Sequence, residues 1–155
     1  MVDPYRRPYL DAQCWITALS GAGPYATDLR QVLAAADRVD LVIVTSVLMP
    51  LEVLGGDRQT RTPQAAEQVL LALGRSSVVR VAVTDRVVRH ARELRLDHGL
   101  ASIDALHVAS AVAGQADVLL TNDSKIHQLN RYRGVPIIAP EWPGDVPLPG
   151  MDAED

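Results

Sequence analysis

The chain has 155 residues, 48% of them hydrophobic and 22% charged, which suffices to bury the core of one domain and excludes a disordered or collagen-like class. Its formal net charge of −4 speaks against a protein that grips nucleic acid through a broadly basic surface, and the single cysteine, Cys14, excludes an internal disulfide or a cysteine-based zinc site. The first seven residues lack the apolar core of a signal peptide, and the longest apolar run, 41–54, is broken by Pro50 and Glu52, so no membrane span is expected and a cytoplasmic protein is.

Residues 9–10 read as a short extended stretch ending at Asp11. A brief helix over 15–19 is stopped by the Ser-Gly-Ala-Gly-Pro run at 20–24, and a second helix over 25–36 carries Leu29, Val32, Leu33 and Ala36 at helical spacing. The β-branched run at 41–44 has the composition of a strand buried on both faces. Thr45-Ser46 can cap a helix over 47–54, which Gly55-Gly56 ends and which Pro50 is expected to distort. After a polar loop with Arg58 and Arg61, Pro63 opens a helix that Gly74 closes. A strand over 78–83 and a helix from Asp85 to about residue 97 follow, then a helix over 103–113 with Ser102 as its cap. A strand at 118–120, a short helix from Ser124 to about residue 130 and a last strand at 135–139 complete the series. Strands and helices in alternation, with apolar strands, predict an α/β domain over 1–139 whose parallel sheet is covered on both faces. The remainder, 140–155, holds Pro140, Pro143, Pro147 and Pro149, ends Asp-Ala-Glu-Asp, and is expected to be an extended or mobile tail.

Open parallel sheets bind ligands at the carboxyl ends of their strands. Four acidic residues fall there: Asp11 directly after the first strand, Glu52 in the helix after the second, Asp104 in the first turn of its helix, and Asp123 three residues beyond the fourth strand. Each has a plainer role open to it, as a cap, a dipole partner or a solvated helix residue. Asp104 and Glu52 are the hardest to treat that way, since each is a lone charge in an apolar segment. Together they make a cluster whose mutual repulsion is relieved by cations, and hard carboxylate oxygens select Mg2+ or Mn2+ over zinc. Such ions support phosphodiester hydrolysis.

At these positions the chain resembles PIN-domain ribonucleases, and among them the VapC-type toxins of bacterial toxin–antitoxin pairs. The resemblance spans residues 9–139 and rests on four segments in order: Tyr9-Leu10-Asp11-Ala12, Thr45-Ser46 ahead of Glu52-Val53, Asp104-Ala105-Leu106-His107-Val108-Ala109, and Thr121-Asn122-Asp123. It implies a three-layer α/β/α sandwich and a metal-dependent endoribonuclease with Asp11, Glu52, Asp104 and Asp123 as catalytic and metal-binding residues. It also implies Mg2+ or Mn2+ as cofactor, an RNA substrate, a homodimer, and a cognate antitoxin gripping the early helices. An RNA-processing nuclease outside any toxin pair and an inactive binding module of the same fold are the other readings.

Several further residues are candidates. His107 lies three residues after Asp104 and can share its helix face as a ligand or a base, although a single histidine in an apolar helix is more commonly a packed, hydrogen-bonded one. Ser46 and Thr121 can orient carboxylates or simply cap. Arg86, Arg89, Arg92 and Arg95 recur at three-residue spacing as an RNA-facing stripe or a solvated face, Arg58 and Arg61 border the expected site, and Trp15 can stack on a base or fill the core.

Overall fold

Tyr9 and Leu10 are adjacent and wholly buried, yet they belong to different cores, and this one alternation sets the layering. The computed structural model describes residues 2–56 and 59–144. In chain order it contains β1 (Pro8–Leu10), α1 (Ala12–Ser20), α2 (Ala26–Asp37), β2 (Ile43–Ser46), α3 (Met49–Glu52), α4 (Pro63–Leu73), β3 (Val78–Val81), α5 (Asp85–His98), α6 (Ser102–Ala113), β4 (Val118–Leu120), α7 (Ser124–His127), β5 (Arg131–Tyr132) and β6 (Val135–Ile138). Leu10, Ile43, Val118 and Leu120 pack beneath α1, α2 and α4 around Trp15, Leu29 and Leu73. Their neighbours Tyr9, Val44 and Leu119 face the other way, toward α5 and α6 around Leu94, Ala105 and Val108. The result is a sheet with helices on both faces, as the apolar strands predict.

The strand order is β3-β2-β1-β4-β6-β5, with all neighbouring pairs parallel except β5 and β6. From β1 the chain builds outward to β2 and β3, then returns to place β4 on the other side of β1. The order therefore reverses between β1 and β4, the place where such sheets open a crevice.

Several boundaries differ from the sequence reading for identifiable reasons. α1 begins at Ala12 because the Asp11 side chain accepts from Cys14 N and caps it. β2 runs two residues later than 41–44, since Thr45 and Ser46 pair in register with Arg80 and Val81 of β3. The expected helix over 47–54 shrinks to the single turn α3. Val47 N still donates to Val81 O, Pro50 has no N–H to offer the Ser46 carbonyl, and Val53 is already extended at φ −105°. Ala101, not Ser102, occupies the cap position of α6, and it does so without a side-chain bond. The β5–β6 hairpin makes the sheet mixed rather than wholly parallel. Its two turn residues, Arg133 (φ 44°) and Gly134 (φ 84°), are both left-handed, a turn usually signalled by Asn-Gly or Asp-Gly and here written without either. Of the expected tail, Trp142 stands edge-on to Tyr5 and its backbone N–H donates to the Asp28 carboxylate, while 145–155 lie outside the described residues.

Candidate active site

Asp11 leaves β1 at the reversal point. Its N–H donates to Leu120 O of β4, which ties it to the adjacent strand end. One carboxylate oxygen accepts from Cys14 N (2.8 Å) and the other from the hydroxyl of Thr121. Thr121 in turn accepts from Asp123 N at 3.0 Å, and its carbonyl accepts from His127 Nε2 at 2.5 Å. A single buried hydroxyl thus fixes both the carboxylate that follows β1 and the backbone of the one that follows β4. Asp123 caps α7 by accepting from Lys125 N and Ile126 N through one oxygen, which leaves the other unengaged by these bonds.

Glu52 closes α3. Its Oε2 is bonded to Nε2 of His107, and His107 Nδ1 meets the hydroxyl of Tyr9 at 2.5 Å. Asp104 sits in the first turn of α6, half-buried, with no hydrogen bond to its carboxylate among the described residues. Its carboxyl is held above the ordinary aspartate range, first by desolvation, then by the negative charge of Asp123, with Asp11 and Glu52 adding to it and His107 opposing. Asp104 therefore feels all three of the other acidic residues. The four sequence candidates share one electrostatic field, set at the strand ends where the sheet order reverses.

Donor chemistry and closure are separate matters. The available oxygens are hard and several keep free lone pairs, which suits a divalent cation. Among the described residues, no three or more His, Cys, Asp or Glu side chains are grouped so that they could hold a metal ion between them. Mg2+ characteristically binds through one or two carboxylates together with water and substrate phosphate, so an open carboxylate field fits it better than a closed cage would.

The remaining candidates separate. Thr121 orients Asp11, whereas Ser46 accepts from Leu48 N at 3.1 Å in the local turn. His107 is buried and hydrogen-bonded at both nitrogens, and Trp15 is fully buried in the core beneath α1 and α2. Arg61 shares with Glu52 a cleft of about 620 Å³ walled by Ile16, Leu19 and Val69, while Arg58 lies outside the described residues. The four arginines of α5 are all exposed but do not form one stripe. Three-residue spacing drifts about 60° per step around a helix. Accordingly Arg92 and Arg95 border a groove against α6, while Arg86 and Arg89 lie with Arg133 near His90, where burial and their charge lower its pKa. Tyr9 and His127 escaped sequence reading as site residues. One looked like an ordinary strand residue, and the bond of the other to a strand-end carbonyl carries no sequence signal.

The PIN domain family model matches residues 9–132, which takes in all four carboxylates. The chain belongs to the PIN domain family. No curated protein is matched. Solved structures are, at low identity. A toxin–antitoxin complex from Klebsiella pneumoniae is 18% identical with a TM-score of 0.62, covering 87% of this chain and 98% of its own. VapBC2 of Rickettsia felis, bound to a promoter DNA fragment, is 17% identical with a TM-score of 0.61, covering 86% and 98%. VapC20 of Mycobacterium tuberculosis, described as a sarcin–ricin loop cleaving toxin, is 16% identical with a TM-score of 0.64, covering 83% and 98%. At such identities the likeness establishes the fold and nothing beyond it. No helix among the described residues is long and apolar enough to cross a membrane.

Proposed function

We propose that this PIN domain is a Mg2+- or Mn2+-dependent endoribonuclease that hydrolyses RNA phosphodiester bonds as the toxin of a type II toxin–antitoxin pair in the cytoplasm. The observation that carries the reading is the shared field of Asp11, Glu52, Asp104 and Asp123, in which Asp104 is pushed toward its neutral form first by burial and then by the charges of Asp123, Asp11 and Glu52. A protein gains nothing in stability from such repulsion, so the arrangement makes sense as a cation site. Asp11, Glu52, Asp104 and Asp123 would hold the ion. Bound there, it would acidify a water and neutralise charge on the phosphate.

The protein's own groups set the geometry. Thr121 and Cys14 N fix the orientation of the Asp11 carboxylate ahead of any substrate. The α7 backbone fixes Asp123. Asp104, unbonded and half-buried, is the group best placed to adjust to a ligand or to accept a proton from a water. Arg61, on the cleft that Glu52 borders, supplies positive charge for an RNA backbone.

The toxin assignment draws support from the fold shared with chains solved as toxin–antitoxin complexes, and from exposed Leu51, Leu54, Leu70 and Leu71 on and beside α3 and α4, apolar surface that an antitoxin or a second copy would cover. The test is cleavage of cellular RNA by purified protein with Mn2+, beside Asp11→Asn and Asp104→Asn. Loss of cleavage by at least roughly 100-fold in both folded variants is expected, as for groups that stabilise charge in a transition state, together with loss of growth arrest on expression. Wild-type protein that leaves RNA intact with either cation would overturn the assignment.

A further inference from the structure

Resting on Glu52 as a metal ligand, we infer that Tyr9 and His107 form a buried relay that positions the Glu52 carboxylate. Glu52 needs such help. It ends a four-residue helix without a side-chain cap, and the next residue is already extended, so little in its own segment restrains three side-chain torsions. Its carboxylate is bonded to His107. Asp11, by contrast, has a backbone donor and a hydroxyl donor of its own.

The relay is also costly to build without a purpose. Tyr9 is wholly buried on the central strand, among Val44, Ala105 and Leu119, where a phenylalanine would fill the same space with no polar atom to satisfy. His107 is almost as buried, on a helix made, apart from Asp104, of small and aliphatic residues. The two meet directly: the phenol, which also has the side chains of Ser46 and Ser110 within hydrogen-bonding reach, lies 2.5 Å from Nδ1, and the rings lie 5.8 Å apart at 56°, which fixes the plane of the imidazole. With the phenol donating to Nδ1, the ring carries its proton on Nε2 and donates it to Glu52 Oε2. Oε1 is left for the cation. Because Tyr9 lies on β1 and Asp11 directly follows that strand as the cap of α1, the relay refers two of the four carboxylates to one rigid strand.

The test separates positioning from simple packing. Glutamine at 107 carries an amide nitrogen about as far out as Nε2, whereas asparagine reaches only as far as Nδ1. Mn2+ affinity, read from the free-ion electron paramagnetic resonance signal, is expected to fall roughly 10-fold in His107→Asn and Tyr9→Phe and to stay within about threefold of wild type in His107→Gln, the scale typical of groups that orient metal ligands. Independently of any metal, long-range 1H–15N spectra should show His107 in the Nε2-protonated tautomer, and both Tyr9→Phe and Glu52→Gln, at a side chain only partly exposed, should shift those ring signals. Folded His107→Asn and Tyr9→Phe proteins with wild-type Mn2+ affinity would overturn the relay, as would ring signals indifferent to Glu52→Gln. Wild-type protein whose ring signals follow Glu52→Gln but which binds no Mn2+ would instead overturn the metal reading of the site, and the positioning role with it.

Discussion

Asp104 shows what a single residue gives up for a functional arrangement. Its carboxyl is held above the ordinary range by burial and by Asp123, so the folded protein binds that proton more tightly than the unfolded chain does. The contribution to stability is therefore present below the unfolded pKa and is lost as pH rises through the folded one. At neutral pH an ionised Asp104 is a net burden. We expect Asp104→Asn, without divalent cation, to raise Tm by roughly 1–3 °C at pH 7.5, on the scale by which stability shifts move Tm in domains of this size, with the gain fading toward pH 4. Thermal unfolding of the two proteins at both pH values checks this, and an equal or lower Tm for the variant at pH 7.5 would deny that the four charges repel. Asp11, Asp104 and Asp123 were legible in the sequence because each follows a strand or opens a helix, positions fixed within a few residues. The bond from Glu52 to His107 spans 55 residues and the one from Thr121 to Asp11 spans 110, so neither leaves a local trace.

Elements were legible where hydrophobic period and capping agreed. Thr62 and Thr84 cap α4 and α5 through Ala65 N and Val87 N, and the buried side of α2, with Leu29, Val32 and Ala36, falls where its spacing puts it. Legibility failed at α3, where Pro50 and a strand that continues through Ser46 leave room for one helical turn, and at β5–β6, where an Arg-Gly turn replaces the usual signal. It also gave no warning of how closely α6 approaches the sheet. Gly114 ends that helix with an ordinary backbone φ of −80°, but an added Cβ would lie 2.5 Å from Val44 Cγ1 and 2.6 Å from Val81 Cγ2. Gly114→Ala should thus destabilise by overpacking alone, by about 1–3 kcal/mol, more than the ~1 kcal/mol expected for Thr84→Ala, which removes a cap from an exposed helix start. Urea unfolding of both variants compares the two, and a Gly114→Ala protein as stable as wild type would mean that α6 can move off β2 and β3.

At the scale of the whole molecule, topology and charge pull in different directions. The order β3-β2-β1-β4-β6-β5 brings the ends of β1 and β4 together, and with them Asp11 and Asp123. A chain already at −4 thereby concentrates negative charge at the one place an anionic substrate would have to approach. Nearby arginines relieve this only in part. Arg61 borders the Glu52 cleft, and the α5 arginines diverge around their helix. A cation resolves the conflict for the folded state only, since the unfolded chain does not hold the four carboxylates together. Folding and cation binding are then linked, and stability must rise with cation concentration as RT ln(1 + [L]/Kd), about 2.7 kcal/mol at one hundred times Kd. For a domain of this length that corresponds to a Tm increase of roughly 5–10 °C. The increase should saturate in Mn2+, be much smaller in Ca2+ if small octahedral ions are preferred, and vanish in Asp11→Asn. Because protons compete for Asp104, the same Mn2+ titration at pH 5 should need more cation to reach half effect than at pH 7.5. A Tm that ignores Mn2+ at both pH values would leave the repulsion among the four carboxylates unrelieved by any ion and remove the physical ground for metal-dependent chemistry in this protein.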